Sequence, residues 1–499
     1  MIIWGISANS HDAALAVFKK GRKGLSTKSD FKLLFASHAE RYSGVKNDAH
    51  LNQALIQEAK YYGEPDEIVW YERPLVKSFR QLRAGQGFTF RENNVRNYLA
   101  SYDLRVPIRY IDHHLSHAAA GYYTSNFTKA SVVVIDSIGE FDTFTIWEGK
   151  ADRLKQTFKQ QYPHSVGLWY SALTQRIGLK PQEDEYILMG MAAYGDPNRL
   201  YHSMVKDFIA KWPNLDDPSI HFKQNLHRGC LDWRPELNSE QDLFDIAAAT
   251  QKIYEDIFEY ILQYVSIKTN NPNLVLMGGC ALNCSANSIA LKYFKQVWIM
   301  PNPGDSGSAI GSVLAHHKKH IKWPGPYLGH NIKGDYPVEE IIQELKTTGI
   351  CGVANGRSEF GPRALGHRSL LADPRGNNIK DRVNNIKRRQ EFRPFAPAIL
   401  EEHADQYFDG CTGPYMQYTS TCRYPDLFPA IIHADGTSRV QTVGKKDSTG
   451  FRQLLERWYA ETGCPMLLNT SLNIKGQPIV NDLTDAENFA KHYNVKVFS

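Results

Sequence analysis

In the run His113-His114-Leu115-Ser116-His117, the outer two histidines stand four residues apart. On a helix their imidazoles project from one face, a turn apart. That is the separation at which two ring nitrogens reach a common metal ion. Downstream, Asp136 follows the apolar run Val132-Val133-Val134-Ile135, and Asp305 sits in the loop Pro303-Gly304-Asp305-Ser306-Gly307. Two imidazoles and two carboxylates suit iron, zinc or manganese. The plainer alternative is a surface helix start that carries histidines.

Several other stretches carry chemistry. Gly278 and Gly279 follow the strand-like Leu274-Val275-Leu276-Met277 and precede Asn283. Glycines at such a junction let backbone N–H groups approach a phosphate or ribose. Pro303 to Ser308 is a second small-residue loop after a strand, and two such loops fit either a nucleotide cleft between lobes or two tight turns. Between Arg357 and Arg393 basic side chains outnumber acidic ones, and Arg363 and Arg393, flanked by Gly, Pro and Phe, suit bidentate phosphate binding. The run Arg382 to Arg389 fits a solvated face. Leu468-Asn469-Thr470-Ser471-Leu472-Asn473 offers hydroxyls and amides to oxygen anions, or forms a turn. Asn9-Ser10-His11-Asp12 places a histidine just after the first strand, as a base or as part of a cap.

The elements that must position these groups read as alternating short strands and helices. Strands are predicted at Ile2–Ile6, Lys32–Ala36, Glu67–Trp70, Ile108–Ile111, Val132–Ile135, Phe144–Trp147, Leu274–Met277, Val297–Met300 and Cys351–Ala354, with helices at Leu51–Tyr62, Asn94–Tyr102 and Leu243–Tyr264. This is an α/β pattern. The basic stretch Lys19 to Lys32 reads as a hairpin loop between the first two strands. A chain of 499 residues needs more than one core, and Pro and Gly punctuate Lys322 to Gly329. Net charge is +5, which fits an anionic substrate but is too weak to argue for nucleic acid. Seven scattered cysteines read as reduced thiols, and no apolar run is long enough to span a membrane, so a cytoplasmic protein is expected.

Taken in order, the motifs resemble the O-carbamoyltransferase family that includes nodulation-factor and tobramycin carbamoyltransferases. The resemblance rests on Asn9-Ser10-His11-Asp12-Ala13-Ala14, Ala39-Glu40-Arg41-Tyr42-Ser43, Asp112 to Ala119, Leu188-Met189-Gly190-Met191-Ala192-Ala193-Tyr194-Gly195 and Gly278 to Cys284. It continues through Phe360 to Ala372, Phe392-Arg393-Pro394-Phe395-Ala396-Pro397 and Leu468 to Asn473. It implies an actin-like (ASKHA) two-lobed transferase domain over residues 1–335 and a YrdC-like α/β domain over 336–499. The second would form carbamoyl-adenylate from carbamoyl phosphate and ATP, with Mg accompanying the ATP. The first would pass the carbamoyl group to a hydroxyl.

By the same resemblance His113, His117, Asp136 and Asp305 hold iron(II) or another divalent metal. Gly278, Gly279 and Asn283 lie against the nucleotide, and Arg363, Lys387, Arg393, Arg439 and Ser471 bind the phosphates. His11 is the candidate base, and Lys46 aligns with a lysine near the acceptor. Three positions depart from the family pattern: Asn47 replaces His, Ile187 replaces Lys and Cys280 replaces Val. None touches the expected metal ligands. The acceptor is expected to be a sugar, natural product or other small molecule, with a hydroxymethylated pyrimidine in DNA or a nucleotide as the alternative. A tRNA threonylcarbamoyl transferase and a nucleotide-binding regulator are the competing classes. No membrane association is expected, and a homodimer is compatible with the sequence.

Overall fold

The structure, a computed structural model, describes residues 1–21, 31–376, 378–447 and 449–499. It divides into two units, one of Met1–Ala39 with Asn47–Pro324 and one of Glu40–Lys46 with Gly325–Ser499. No helix among the described residues is long and apolar enough to cross a membrane. All seven cysteines are free.

The first unit holds two five-stranded sheets with one connectivity used twice. In the first sheet β1 (Ile2–Ser7), β2 (Ala14–Lys20) and β3 (Phe31–His38) form an antiparallel meander. Then β4 (Glu67–Trp70) pairs parallel to β1, and β5 (Ile108–Tyr110) parallel to β4, giving the order β3-β2-β1-β4-β5. In the second sheet β6 (Lys129–Gly139), β7 (Asp142–Lys150) and β8 (Arg153–Gln161) repeat the meander, and Asn273–Met277 and Gln296–Ile299 add parallel strands beyond β6. Parallel neighbours need crossovers, and the 30-residue helix Glu240–Thr269 supplies one. It starts at a reciprocal capping box between Ser239 and Asp242 and stops at Asn270, in the left-handed region.

The strand β2 was not expected, and it changes the reading of the basic stretch. That connection leaves β2 and enters β3, so it joins the second and third strands; residues 22–30 themselves lie outside the described ones. The sequence Ala14-Leu15-Ala16-Val17-Phe18 is buried throughout, so it lacks the polar alternation that marks a one-sided strand.

Two small-residue helices, His113–Thr124 and Ser308–His317, pack on each other. The first also lies on β6 and Asn273–Met277, the second on β1, β2 and β4. Their close approach depends on Gly311, where a Cβ would fall 1.9 Å from the Ser116 carbonyl oxygen. Nearly every residue of the first helix is buried, which removes the alternative of a histidine-bearing surface helix.

The second unit is built on a six-stranded sheet in the order Gln441–Val443, Ala396–Leu400, Met466–Ser471, Arg368–Ala372, Ile350–Ala354, Val497–Phe498. Its apolar core includes Ile341, Leu345, Val353, Leu370, Ile399, Trp458 and Leu467. The short segment from Glu40 to Lys46 belongs to this unit, and its buried Arg41 donates to the carbonyls of Gly361 and Ile479.

Candidate active site

The first unit brings His113, His117, Asp136 and Asp305 together, all buried. His113 Nε2 is 3.2 Å from Asp136 Oδ2 and 3.3 Å from Asp305 Oδ1. His117 Nε2 is 3.2 Å from Asp305 Oδ1 and 3.1 Å from His113 Nε2. Two donors about 2.1 Å from a shared ion lie about 3.0 Å apart at a right angle and about 3.4 Å apart at the tetrahedral angle. These four separations have the spacing of donors around a shared ion, His117 Nε2 to Asp136 Oδ2 being wider at 3.8 Å, and the residues present fit a divalent ion.

Their supports fit too. His117 Nδ1 bonds the Pro303 carbonyl at 3.1 Å, which makes that nitrogen the N–H donor and turns the Nε2 lone pair to the cluster. The Asp136 carboxylate accepts the Gly279 amide at 3.1 Å through Oδ1, leaving Oδ2 for the centre. Asp305 opens a 3-10 turn that runs into the Ser308–His317 helix. Next to it, the Ser306 hydroxyl lies 2.8 Å from Asp12 Oδ2 and 2.9 Å from Asn302 Oδ1. His38 Nδ1 is 2.7 Å from Asp12 Oδ1. Of these supporting residues, Asp12, Gly279, Pro303 and Ser306 lie in motifs singled out for chemistry from sequence, whereas His38 and Asn302 do not.

Electrostatics favour a cation. Burial works against a charged His113, yet the carboxylates of Asp305 and Asp136 outweigh it and hold this imidazole well above the usual range. Burial likewise works to raise Asp305, but His113, His11 and His117 keep it well below the usual carboxylate range. A pocket that needs a bound proton to balance two buried carboxylates is one a divalent ion can neutralise. His114, by contrast, is pushed down to about 3 by burial and by His113, and its Nδ1 sits 2.9 Å from Thr145 Oγ1. It is a neutral supporting side chain. His11 Nε2 lies 3.8 Å from Asp305 Oδ2 with its side chain 44% exposed, so it flanks the centre at the solvent side.

Gly278 and Gly279 lie beside the cluster with their amides engaged. Gly278 takes φ +89°, and a Cβ there would meet the Ile135 carbonyl oxygen at 2.2 Å. Its amide donates to Pro303 O at 2.9 Å, while the Gly279 amide is held by Asp136. Both N–H groups are held by the scaffold of the four-donor cluster, so neither amide is free to donate to a phosphate. Asn283 caps a four-residue helix through Ala286 N and exchanges amide bonds with Gln251.

The second unit gathers a cationic cluster. Lys387 is buried at the end of the helix Ile379–Lys387. Its Nζ donates to the Ser471 carbonyl, to Ser471 Oγ at 3.0 Å and to Asn473 Oδ1 at 2.7 Å. Burial, then Arg389, Arg393 and Lys46, hold its ammonium well below the ordinary lysine range. Lys46 belongs to this unit, 3.3 Å from Glu40 Oε2. Arg363 and Arg439 are half-buried, and the Arg439 Nε finds no hydrogen-bond partner among the described residues. Several other arginines of the basic region are structural. Arg368 is fully buried and donates to the carbonyls of Asn355, Gly356, His330, His367 and Asn481. Arg389 bonds Asn384 Oδ1 at 2.9 Å and stacks over Phe395. Asn473 was not singled out as a lysine partner; its place beside Ser471 in one motif is the available signal.

The sequence profile described as Carbamoyltransferase N-terminus matches residues 2–314, and that described as Carbamoyltransferase C-terminus matches residues 342–499. The chain belongs to the carbamoyltransferase family. An uncharacterised protein of Synechocystis is 31% identical over 97% of this chain and 93% of its own length. The nodulation protein NolNO of Sinorhizobium fredii is 32% identical over 76% of this chain and 61% of its own. A 3'-hydroxymethylcephem-O-carbamoyltransferase of Amycolatopsis lactamdurans is 28% identical over 94% of this chain and 95% of its own. Among solved structures, full-length HypF superposes with a TM-score of 0.36 and 12% identity over 64% of this chain and 55% of its own, too loosely to carry an argument. As a member of the carbamoyltransferase family the chain is an enzyme, a transferase, whose family implies carbamoyl phosphate and an acceptor as substrates.

Proposed function

We propose that the chain is an ATP-dependent O-carbamoyltransferase that makes carbamoyl-adenylate and transfers its carbamoyl group to an acceptor hydroxyl. The observation that carries this reading is the buried four-donor cluster of His113, His117, Asp136 and Asp305, whose donor separations match a shared ion. The duplicated sheet connectivity of the first unit fits an actin-like two-lobed fold, and we read the second unit as YrdC-like.

In the first half-reaction water hydrolyses carbamoyl phosphate to carbamate and inorganic phosphate, and the carbamate oxygen then bonds to the α-phosphorus of ATP as the α,β-anhydride bond breaks and pyrophosphate leaves. Arg363, Lys387, Arg393 and Arg439 bind the anionic oxygens, with Ser471 and Asn473 orienting the Lys387 ammonium. Lys46 adds positive charge to this cluster. In the second half-reaction the acceptor oxygen forms a bond to the carbamoyl carbon while the carbon–oxygen bond to AMP breaks. His11 takes the acceptor's proton. The chemistry supplied by a bound iron(II) or other divalent ion is Lewis-acid polarisation of an oxygen on the carbonyl or the leaving phosphate. The adenylate's nucleotide packs against Gly278, Gly279 and Asn283, the glycines offering close approach rather than free amides.

An alcohol is the acceptor this reading favours. The name of the Amycolatopsis relative puts its carbamoyl group on the oxygen of a hydroxymethyl group, which supports a primary alcohol here. Incubation with carbamoyl phosphate, ATP and Mg should release pyrophosphate. Mass spectrometry of a panel of sugars, small alcohols and hydroxymethylated pyrimidine nucleotides should show an added carbamoyl group on one of them. Pyrophosphate release that needs threonine and bicarbonate, with tRNA as acceptor, would replace this reading with threonylcarbamoyl transfer. No pyrophosphate under either condition would leave a nucleotide-binding regulator.

A further inference from the structure

Tyr71 stands immediately beyond β4, at the wall of the metal cluster, and the reaction as described gives it no task. It is fully buried. Its backbone is held on two sides: the amide donates to the Ile6 carbonyl at 3.1 Å, and the carbonyl accepts the Ser116 hydroxyl at 3.0 Å. Ser116 belongs to the helix that carries His113 and His117. The Tyr71 ring lies against the His113 imidazole, with centroids 5.2 Å apart. Backbone and ring are thus fixed relative to the four-donor cluster, while the phenolic oxygen finds no hydrogen bond of ordinary geometry among the described residues.

A buried, unsatisfied O–H costs free energy, and sites retain such groups where a partner arrives with the ligand. The Ser10 hydroxyl lies nearby without reaching ordinary hydrogen-bond geometry. A tyrosine phenol carries its proton at neutral pH and so acts as a donor. The carboxylates of Asp136 and Asp305 are already paired with His113 and His117 and leave the phenol unclaimed. What it suits is a neutral carbonyl that becomes negative as the reaction proceeds.

We propose that the Tyr71 hydroxyl is a catalytic hydrogen-bond donor to the carbonyl oxygen of the carbamoyl group during transfer. This rests on the carbamoyltransferase reading above. The phenolic proton stays on Tyr71; the acceptor's proton goes to His11, and AMP leaves with the electron pair of the broken carbon–oxygen bond. The donor contributes most when negative charge has built up on the carbonyl oxygen, so its loss should lower turnover without weakening acceptor binding.

Tyr71→Phe removes the oxygen and keeps the ring against His113. The protein should be assayed at full length for pyrophosphate release from carbamoyl phosphate and ATP, for carbamoyl transfer to the identified acceptor, and for metal content. Expected are a kcat for transfer lowered about 10²-fold, the scale of losing one oxyanion donor, an acceptor KM within twofold, and unchanged pyrophosphate release and metal content. Transfer within threefold of the parent would overturn the role. So would a loss expressed in acceptor KM, which would make Tyr71 an acceptor-binding group, or a loss accompanied by departure of metal, which would make it structural. Absence of carbamoyl transfer by the unsubstituted protein with every acceptor would sink the parent reading, and this role with it.

Discussion

Replacing His117 by Ala tests the division of labour between the two clusters most directly. The side chain is fully buried, gives a hydrogen bond to Pro303 O, and places Nε2 within 3.2 Å of both His113 Nε2 and Asp305 Oδ1. Two losses follow. Removing a buried ring and its hydrogen bond costs about 2–4 kcal/mol of stability, from the cavity and the lost bond together, the Pro303 carbonyl keeping the Gly278 amide. Removing one of four donors leaves His113 alone against two buried carboxylates, so the coordination polyhedron is broken. On the proposed function, the Lewis-acid contribution of several kcal/mol that a bound divalent ion would supply is then lost, which corresponds to a fall in transfer of about 10³-fold or more. The cationic cluster of Lys387, Ser471 and Asn473 contains none of these atoms. Pyrophosphate release from carbamoyl phosphate and ATP should stay within about threefold of the parent at a temperature where both proteins are folded. The assay pairs a coupled pyrophosphate readout with mass spectrometry of the acceptor, on the same preparation. Equal loss of both half-reactions in a folded His117→Ala protein would refute the reasoning, because it would mean that the four-donor cluster also builds the adenylate.

Arg393→Ala should give the converse: pyrophosphate release lost by at least about 10²-fold, with carbamoyl transfer from supplied carbamoyl-adenylate retained, measured by the same two readouts. Ser306→Ala removes the hydroxyl beside Asp12 Oδ2 and Asn302 Oδ1 and should weaken metal binding about 10–100-fold, by competition with a chelator of known affinity. His317 is held down to about 4 by burial, His316 and Lys20, against the opposing pull of Glu67. Its folded-state pKa lies below the unfolded value, so its neutral form adds stability that is complete above about pH 6.5 and is lost as pH falls toward 4, by about 3 kcal/mol at most. Replacement by Phe should flatten that part of a denaturation-midpoint profile, and an unchanged slope would show that another group sets it.

What the sequence disclosed was local. The spacing of His113 and His117 is a property of one helix turn, and the strand-like runs ending near Asp136 and Trp70 are formed as read. What it withheld was set by tertiary contacts. Asp136 and Asp305 are 169 positions apart in the chain, and only the packing of two sheets on two small-residue helices brings both within 3.3 Å of His113. The amides of Gly278 and Gly279 looked free because nothing local reveals that Pro303 and Asp136 already hold them. The basic region misled in the same way: a count of arginines does not distinguish Arg368, tied to buried carbonyls, from side chains that face a ligand. Strand β2 escaped because its run is apolar on both faces.

The excursion of Glu40–Lys46 into the second unit bears on how this enzyme can be taken apart. Three peptide links join the units, after Ala39, after Lys46 and after Pro324. A protease nick near Pro324 leaves the halves tethered, and a gene fragment begun at Gly325 lacks the Arg41 guanidinium that answers Gly361 and Ile479. The carboxy-terminal half is therefore not a free-standing cassette: to be exchanged between enzymes or expressed by itself, it has to carry that short amino-terminal stretch along.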